Sequence, residues 1–99
     1  MARFDLYRTR PGPGYLLVVQ SHFHDALSTR VVVPLLPRSK APPGSQGLNP
    51  EIIIAGAPHL LFPQYLSAIP KRELGALAGN LESERDAITR ALDLLFTGL

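Results

Sequence analysis

Ser83-Glu84-Arg85-Asp86-Ala87-Ile88-Thr89-Arg90-Ala91-Leu92-Asp93-Leu94-Leu95-Phe96-Thr97-Gly98-Leu99 is the stretch that sets the fold class, because its pattern is helical and that of the chain before it is mostly not. Ile88, Ala91, Leu92, Leu95 and Leu99 recur at helical spacing and make one apolar stripe, while Arg85, Thr89, Arg90, Asp93 and Thr97 fall outside it. The spacing predicts an amphipathic helix over about 83–97. Ser83 is placed to cap it, with Asp86 three residues on in the capping-box position, each able to satisfy a backbone N–H that has no intrahelical partner. Gly98 stands where a C-cap glycine would, and only Leu99 follows, so the helix end projects from a rigid stem. By pattern alone such a helix is an ordinary packing element.

Outward from the helix the chain changes character. Residues 70–80 begin as a helix could, with Pro70 at a first helical position before Lys71-Arg72-Glu73-Leu74, but Gly75 and Gly79 interrupt within about a turn each. Irregular chain or a short strand is expected there. From the start, residues 3–7 alternate, Phe4 and Leu6 against Arg3, Asp5 and Tyr7, which is the period of a half-buried strand. Arg10-Pro11-Gly12-Pro13-Gly14 is a turn, and Tyr15-Leu16-Leu17-Val18-Val19-Gln20 is a continuous apolar run, buried on both faces or at a dimer contact. The two form a hairpin. Residues 31–36 make a third strand, and Pro34 within it argues for an edge position or an early stop, because proline gives the ladder no donor. Residues 37–50 are an exposed connection rich in proline and glycine. Residues 51–55 and 59–62 flank Gly56-Ala57-Pro58 as a second hairpin, and 65–69 is a candidate last strand. Strands within about 2–69 followed by one helix imply a small antiparallel barrel-like sheet with the helix over one opening or face.

The bulk numbers narrow the function classes. With 99 residues, 45% of them hydrophobic, and no internal repeat, one domain over 1–99 is expected, with a core only just large enough to be stable alone. Dimerisation would help it. No run approaches the roughly 18 to 20 apolar residues of a membrane span, and Arg3, Asp5 and Arg8 sit too early for a signal peptide. A chain that neither enters nor crosses a membrane and works in the cytoplasm is therefore expected. The absence of cysteine excludes disulfides and thiol chemistry. A formal net charge of +2, with ten Lys and Arg dispersed among eight acids, gives no basic run and hence no expectation of direct nucleic-acid binding.

No enzyme motif is present. The chain has no phosphate-binding glycine loop, no His-Glu-x-x-His and no Gly-x-Ser-x-Gly, and the proline in Gly12-Pro13-Gly14 removes a donor that a phosphate loop would use. His22, His24 and Asp25, with Arg30 nearby, have the side chains needed for acid-base cleavage of RNA, although nothing in their spacing requires it. His22-Phe23-His24 would put two imidazoles on one side of a strand, yet a structural metal site normally takes four ligands, and with His59 distant in sequence no such set is found. Neither a metal nor a cofactor is expected.

Val19-Gln20-Ser21, then Asp25, then Arg30-Val31-Val32-Val33-Pro34-Leu35 resembles the second strand, loop and third strand of the CcdB family, the toxins of bacterial toxin-antitoxin modules that poison DNA gyrase. Ala91-Leu92-Asp93-Leu94-Leu95-Phe96-Thr97-Gly98-Leu99 resembles that family's C-terminal signature, and Phe4 and Tyr7 agree at the front. The similarity runs over nearly the whole chain and is least over 37–50. It implies an antiparallel SH3-like barrel with a C-terminal helix, as in CcdB and MazF, paired as a two-fold homodimer. It also implies a protein that is not an enzyme, that traps DNA gyrase through the gyrase A subunit, and that a CcdA-like antitoxin neutralises by folding a disordered tail onto it.

In the family the helix tip, Phe-Trp-Gly-Ile, is central to the gyrase contact. Phe96, Gly98 and Leu99 match that tip, whereas Thr97 stands where the tryptophan is expected. Phe23 and His24 match two apolar loop positions near the tip, and Asp93 matches an asparagine one turn earlier. The resemblance thus assigns target binding to Phe23, His24, Asp93, Phe96, Thr97, Gly98 and Leu99, with polar replacements at His24, Asp93 and Thr97. MazF-like toxins share the barrel and cut RNA, which keeps an endoribonuclease as the alternative, beside a module that has lost toxicity.

Overall fold

The structure, a computed structural model, describes residues 2–21 and 26–98. Among them, in chain order, lie β1 (Asp5–Arg8), β2 (Tyr15–Val18), β3 (Thr29–Pro37), β4 (Glu51–Ile54), β5 (Ala57–Leu61), β6 (Ser67–Pro70), β7 (Leu77–Asn80) and α1 (Arg85–Thr97). Every pairing is antiparallel, in the order β4-β5-β3-β2-β1-β7, with β6 also on β3. The expected architecture, a small antiparallel barrel-like sheet followed by a helix, is observed as an antiparallel half-barrel with a C-terminal helix.

The long strand β3 explains the curvature. One of its edges carries β2 along Val32 to Leu35, and the other is shared, β6 pairing Thr29 to Val32 and β5 pairing Leu35 to Pro37. Pro34 sits where the second edge changes partner. Its carbonyl accepts from the Phe62 N–H at 3.0 Å, so the N–H it lacks would point toward that same junction and not toward β2. The proline therefore neither ends the strand nor moves it to an edge, contrary to the sequence expectation. Gln20 extends the other side, its side-chain oxygen accepting from the Val31 N–H at 3.1 Å.

The inner face carries the core: Phe4, Leu6, Leu17, Val33, Leu35, Ile52 and Leu61 close around Ile88 and Ala91 of α1. On the opposite face Val18 and Val32 are buried under Leu74, with Tyr7, Leu16 and Ile69 at the margin. The apolar run of β2 is thus accounted for by two covered faces within one chain. Residues 71–76 supply the cover through a 3-10 turn at Lys71–Glu73.

Residues 77–80 form β7, paired with β1, which is the short strand that was one of the two expectations for 70–80, and the strands therefore run past 69. One local expectation needs correction. In the second hairpin the turn is Ala55-Gly56, and Ala57 and Pro58 already belong to β5. Ala55 and Gly56 both have positive φ, 52° and 79°, the two-residue turn whose twist suits a hairpin. Glycine adopts this freely and alanine does not. Ala55→Asn is expected to stabilise the fold by roughly 0.5–1 kcal/mol, since asparagine tolerates the left-handed region. A higher urea midpoint checks it, and an unchanged or lower one refutes it.

Candidate functional site

The helix that carries the tip is entered differently from the sequence expectation. Ser83 lies inside a 3-10 turn at Glu82–Glu84, Glu84 is the N-cap residue, and no side chain caps α1. The capping function has moved upstream. Asn80 Oδ1 accepts from the Glu82 N–H at 2.8 Å, while its Nδ2 donates to Arg3 O and to Asp5 Oδ1. The Leu81 N–H donates to Phe4 O at 2.8 Å and that of Glu84 to Leu81 O. These bonds satisfy the leading amides before α1 begins and tie its start to β1. Asp86, in the first helical turn, suits the positive end of the helix.

From that anchor α1 loses burial along its length. Ile88 and Ala91 are fully enclosed and Leu92 packs against the core, whereas Leu94 and Leu95 are half-buried. Asp93, Phe96, Thr97 and Gly98 are exposed, Phe96 to 68%. Gly98 closes the helix in the left-handed conformation, φ 75° and ψ 15°, its N–H bonded to Leu94 O at 3.0 Å. Thr97 Oγ1 donates to Asp93 O at 2.6 Å, so its hydroxyl turns back onto the helix. Beside the last turn, Gly47, Pro50, Ala87, Arg90 and Leu94 line a cleft of ≈ 340 Å³.

A terminal turn of this kind presents a largely exposed aromatic ring, three residues on from the exposed Asp93, on a backbone held by two C-terminal hydrogen bonds. That arrangement suits contact with another macromolecule better than chemistry. The structure therefore brings together Asp93, Phe96, Thr97 and Gly98. Leu99, Phe23 and His24 lie outside the described residues, as do His22 and Asp25 of the loop considered for RNA cleavage.

Arg30, the fourth member of that loop set, is 2% exposed. One of its terminal nitrogens donates to Leu27 O at 2.6 Å and to Thr29 O at 2.7 Å, which makes it a brace for the chain entering β3. His59 is also largely interior, at 6% exposure. Its Nδ1 lies 2.9 Å from Ala57 O, and since a carbonyl can only accept, Nδ1 carries the proton. Its ring meets Tyr15 edge-on, centroids 5.3 Å apart, and the Arg8 guanidinium stands 5.6 Å from the Tyr15 centroid. No reading of the sequence joined these three residues. Among the described residues no three of His, Asp and Glu come together as a metal site would require, and no helix is long and apolar enough to cross a membrane.

The family model for the CcdB protein matches residues 3–98. Among solved structures, a mycobacterial endoribonuclease in complex with its cognate antitoxin is similar, with TM-score 0.75 and 17% identity, over 94% of this chain and 91% of that one. The Mycobacterium tuberculosis toxin MazF-mt6 superposes with TM-score 0.76 at 15% identity, covering 93% and 95%. A further mycobacterial endoribonuclease gives 0.72 at 16%, covering 94% and 88%. No curated protein matches the sequence. These neighbours overturn the expectation that the chain is not an enzyme: the fold it adopts is one on which endoribonucleases are built, so a missing catalytic motif excludes nothing.

Proposed function

This chain belongs to the CcdB family, and from that premise we propose that it is the toxin of a bacterial toxin-antitoxin module, silenced by a cognate CcdA-like antitoxin, and that it presents the end of α1 to the A subunit of DNA gyrase. The observation that carries the reading is Phe96, exposed to 68% on a helix turn that Gly98 closes. In the family's Phe-Trp-Gly-Ile tip this chain keeps Phe96, Gly98 and a close match in Leu99. Pairing as a homodimer would offer the two-fold gyrase A dimer two such ends at once. Both target and antitoxin place the action in the cytoplasm. Phe23 and His24, together with Asp93 and Thr97, are assigned to the same contact.

The departure at Thr97 makes a direct prediction. Its hydroxyl bonds within the helix, so the side chain offers a partner little beyond one methyl group. Thr97→Trp restores a large apolar surface at that position and is expected to strengthen gyrase poisoning on the order of tenfold or more, since aromatic anchors carry about 2 kcal/mol or more of an interface. Titrating trapped, cleaved plasmid against toxin concentration measures it. A variant no more potent than the parent chain would show that this position does not face gyrase.

A second reading, RNA cleavage, is favoured by the fold-level likeness to two endoribonucleases and a MazF toxin. Two reactions with the purified chain separate them. Loss of supercoiling with accumulation of linear plasmid supports the gyrase reading, and fragmentation of RNA in the absence of gyrase supports the other. A chain inert in both is no toxin of either kind.

A further inference from the structure

We propose that Asn80 is a positioning residue for the target contact: together with the left-handed backbone at Phe4 it fixes the angle at which α1 leaves the sheet, and so the place of Phe96. The inference rests on the reading that the end of α1 meets gyrase A. It concerns a joint upstream of α1, built where β1, β2 and β7 come together.

Phe4 is the unusual member. It is fully buried, yet its φ is 68°, in the left-handed region that strains an aromatic residue. In a regular strand the N–H and C=O of one residue face the same neighbouring strand. At Phe4 they part. The N–H donates to Val18 O on β2 at 2.7 Å, and the C=O accepts from the Leu81 N–H, just beyond β7, at 2.8 Å. The positive φ divides the two groups, so that one residue holds the approach to α1 against β2. Arg3 packs over the bend, its guanidinium 4.6 Å from the centre of the Phe4 ring and its Nε donating to Val19 O at 3.2 Å. Backbone strain of this kind persists only where the surroundings over-determine it, and it concentrates where function needs a fixed geometry.

Asn80 is the second tie, and it lies on the surface. Its Nδ2 donates to Arg3 O at 3.1 Å and to Asp5 Oδ1 at 2.9 Å, while its Oδ1 accepts from the Glu82 N–H at 2.8 Å. Asp5 is itself held, its Oδ2 accepting from the Ala2 N–H at 2.8 Å. A cap needs only the bond to Glu82; the two donated bonds run to β1 and add direction. Direction matters most at the far end. From Arg85 to Phe96 α1 runs about 16 Å at about 1.5 Å per residue, so a tilt of roughly 10° at the joint displaces the ring by about 3 Å. Beyond Ala91 no described residue of α1 is fully buried, and the last turn therefore takes its direction from the stem and the joint. A contact set to within about half an ångström does not survive such a swing.

The test compares the full parent chain with N80D and with the double variant D5N/N80D. N80D keeps an acceptor for the Glu82 N–H, and aspartate caps as well as asparagine, but it cannot donate to Arg3 O and it sets a second carboxylate against Asp5. The double variant restores the link with the roles exchanged, the amide at position 5 donating to the carboxylate at position 80. In titrations of the gyrase A dimer N80D should bind about tenfold more weakly, and the double variant should return to within about threefold of the parent. Urea midpoints should stay close to the parent's for both. Nitroxides on K40C and R90C, in a chain with no cysteine of its own, should report a shifted or broader distance in N80D and the parent distance in the double variant. N80D at the parent affinity overturns the inference while leaving the gyrase reading intact. A loss that the double variant fails to recover, or one that follows a fall in the midpoint, also overturns it, because Asn80 would then serve stability alone. A parent chain that binds no gyrase A overturns both.

Discussion

Phe96→Ala should abolish growth arrest when the chain is expressed without its antitoxin, while leaving the fold as stable as before. Two magnitudes point in opposite directions here. The ring is 68% exposed, so its removal uncovers little core, and surface substitutions of that kind stay within about 0.5 kcal/mol. A buried aromatic anchor at an interface carries about 2 kcal/mol or more, a loss of roughly thirtyfold or greater in affinity. Growth curves paired with thermal melts of the purified variant separate the two effects. A variant that still arrests growth at equal expression removes Phe96 from the contact. One that arrests no growth but melts far lower would mean that the ring supports the fold instead.

Ile88→Ala is the complementary experiment and should show the largest loss of stability. Ile88 is fully buried between α1 and the sheet, in the cluster that contains Phe4, Leu17, Leu35 and Leu61. Truncating a buried isoleucine costs about 2–5 kcal/mol, from lost transfer energy and the cavity left behind. Small domains are stable by about 5–15 kcal/mol in all, so much of the margin disappears. The stem of α1 then loosens and target binding falls together with folding. Denaturant unfolding measures the loss; a change below about 1 kcal/mol would show that the helix does not depend on this contact. Together the two variants distinguish a tip that binds from a stem that holds it.

The stem was legible in the sequence because Ile88, Ala91 and Leu92 follow the helical period, and that period reports which face is buried. Its cap was not. Ser83 has the right chemistry, but Asn80 takes the role because pairing of β7 with β1 positions its amide, and no local pattern encodes that pairing. β7 itself was ambiguous for the same reason: Leu77-Ala78-Gly79-Asn80 is exposed throughout, so it lacks the alternation that announces a strand. Pro34 misled because a missing donor matters only on the side its N–H would face, which depends on where β6 gives way to β5. Arg8, Tyr15 and His59 were invisible as a group, since β3 brings together positions far apart in the chain. At the helix end, by contrast, Phe96 and Gly98 stood out through the family resemblance, and the exposure of one and the left-handed backbone of the other are compatible with that assignment.

Titrating the gyrase A dimer with the purified chain, and with a chain truncated after Leu95, each shown to be folded, asks whether the last turn of α1 carries the target contact. Saturable binding by the full chain and none by the shortened one is expected. Equal affinity for both would remove the helix end from the contact.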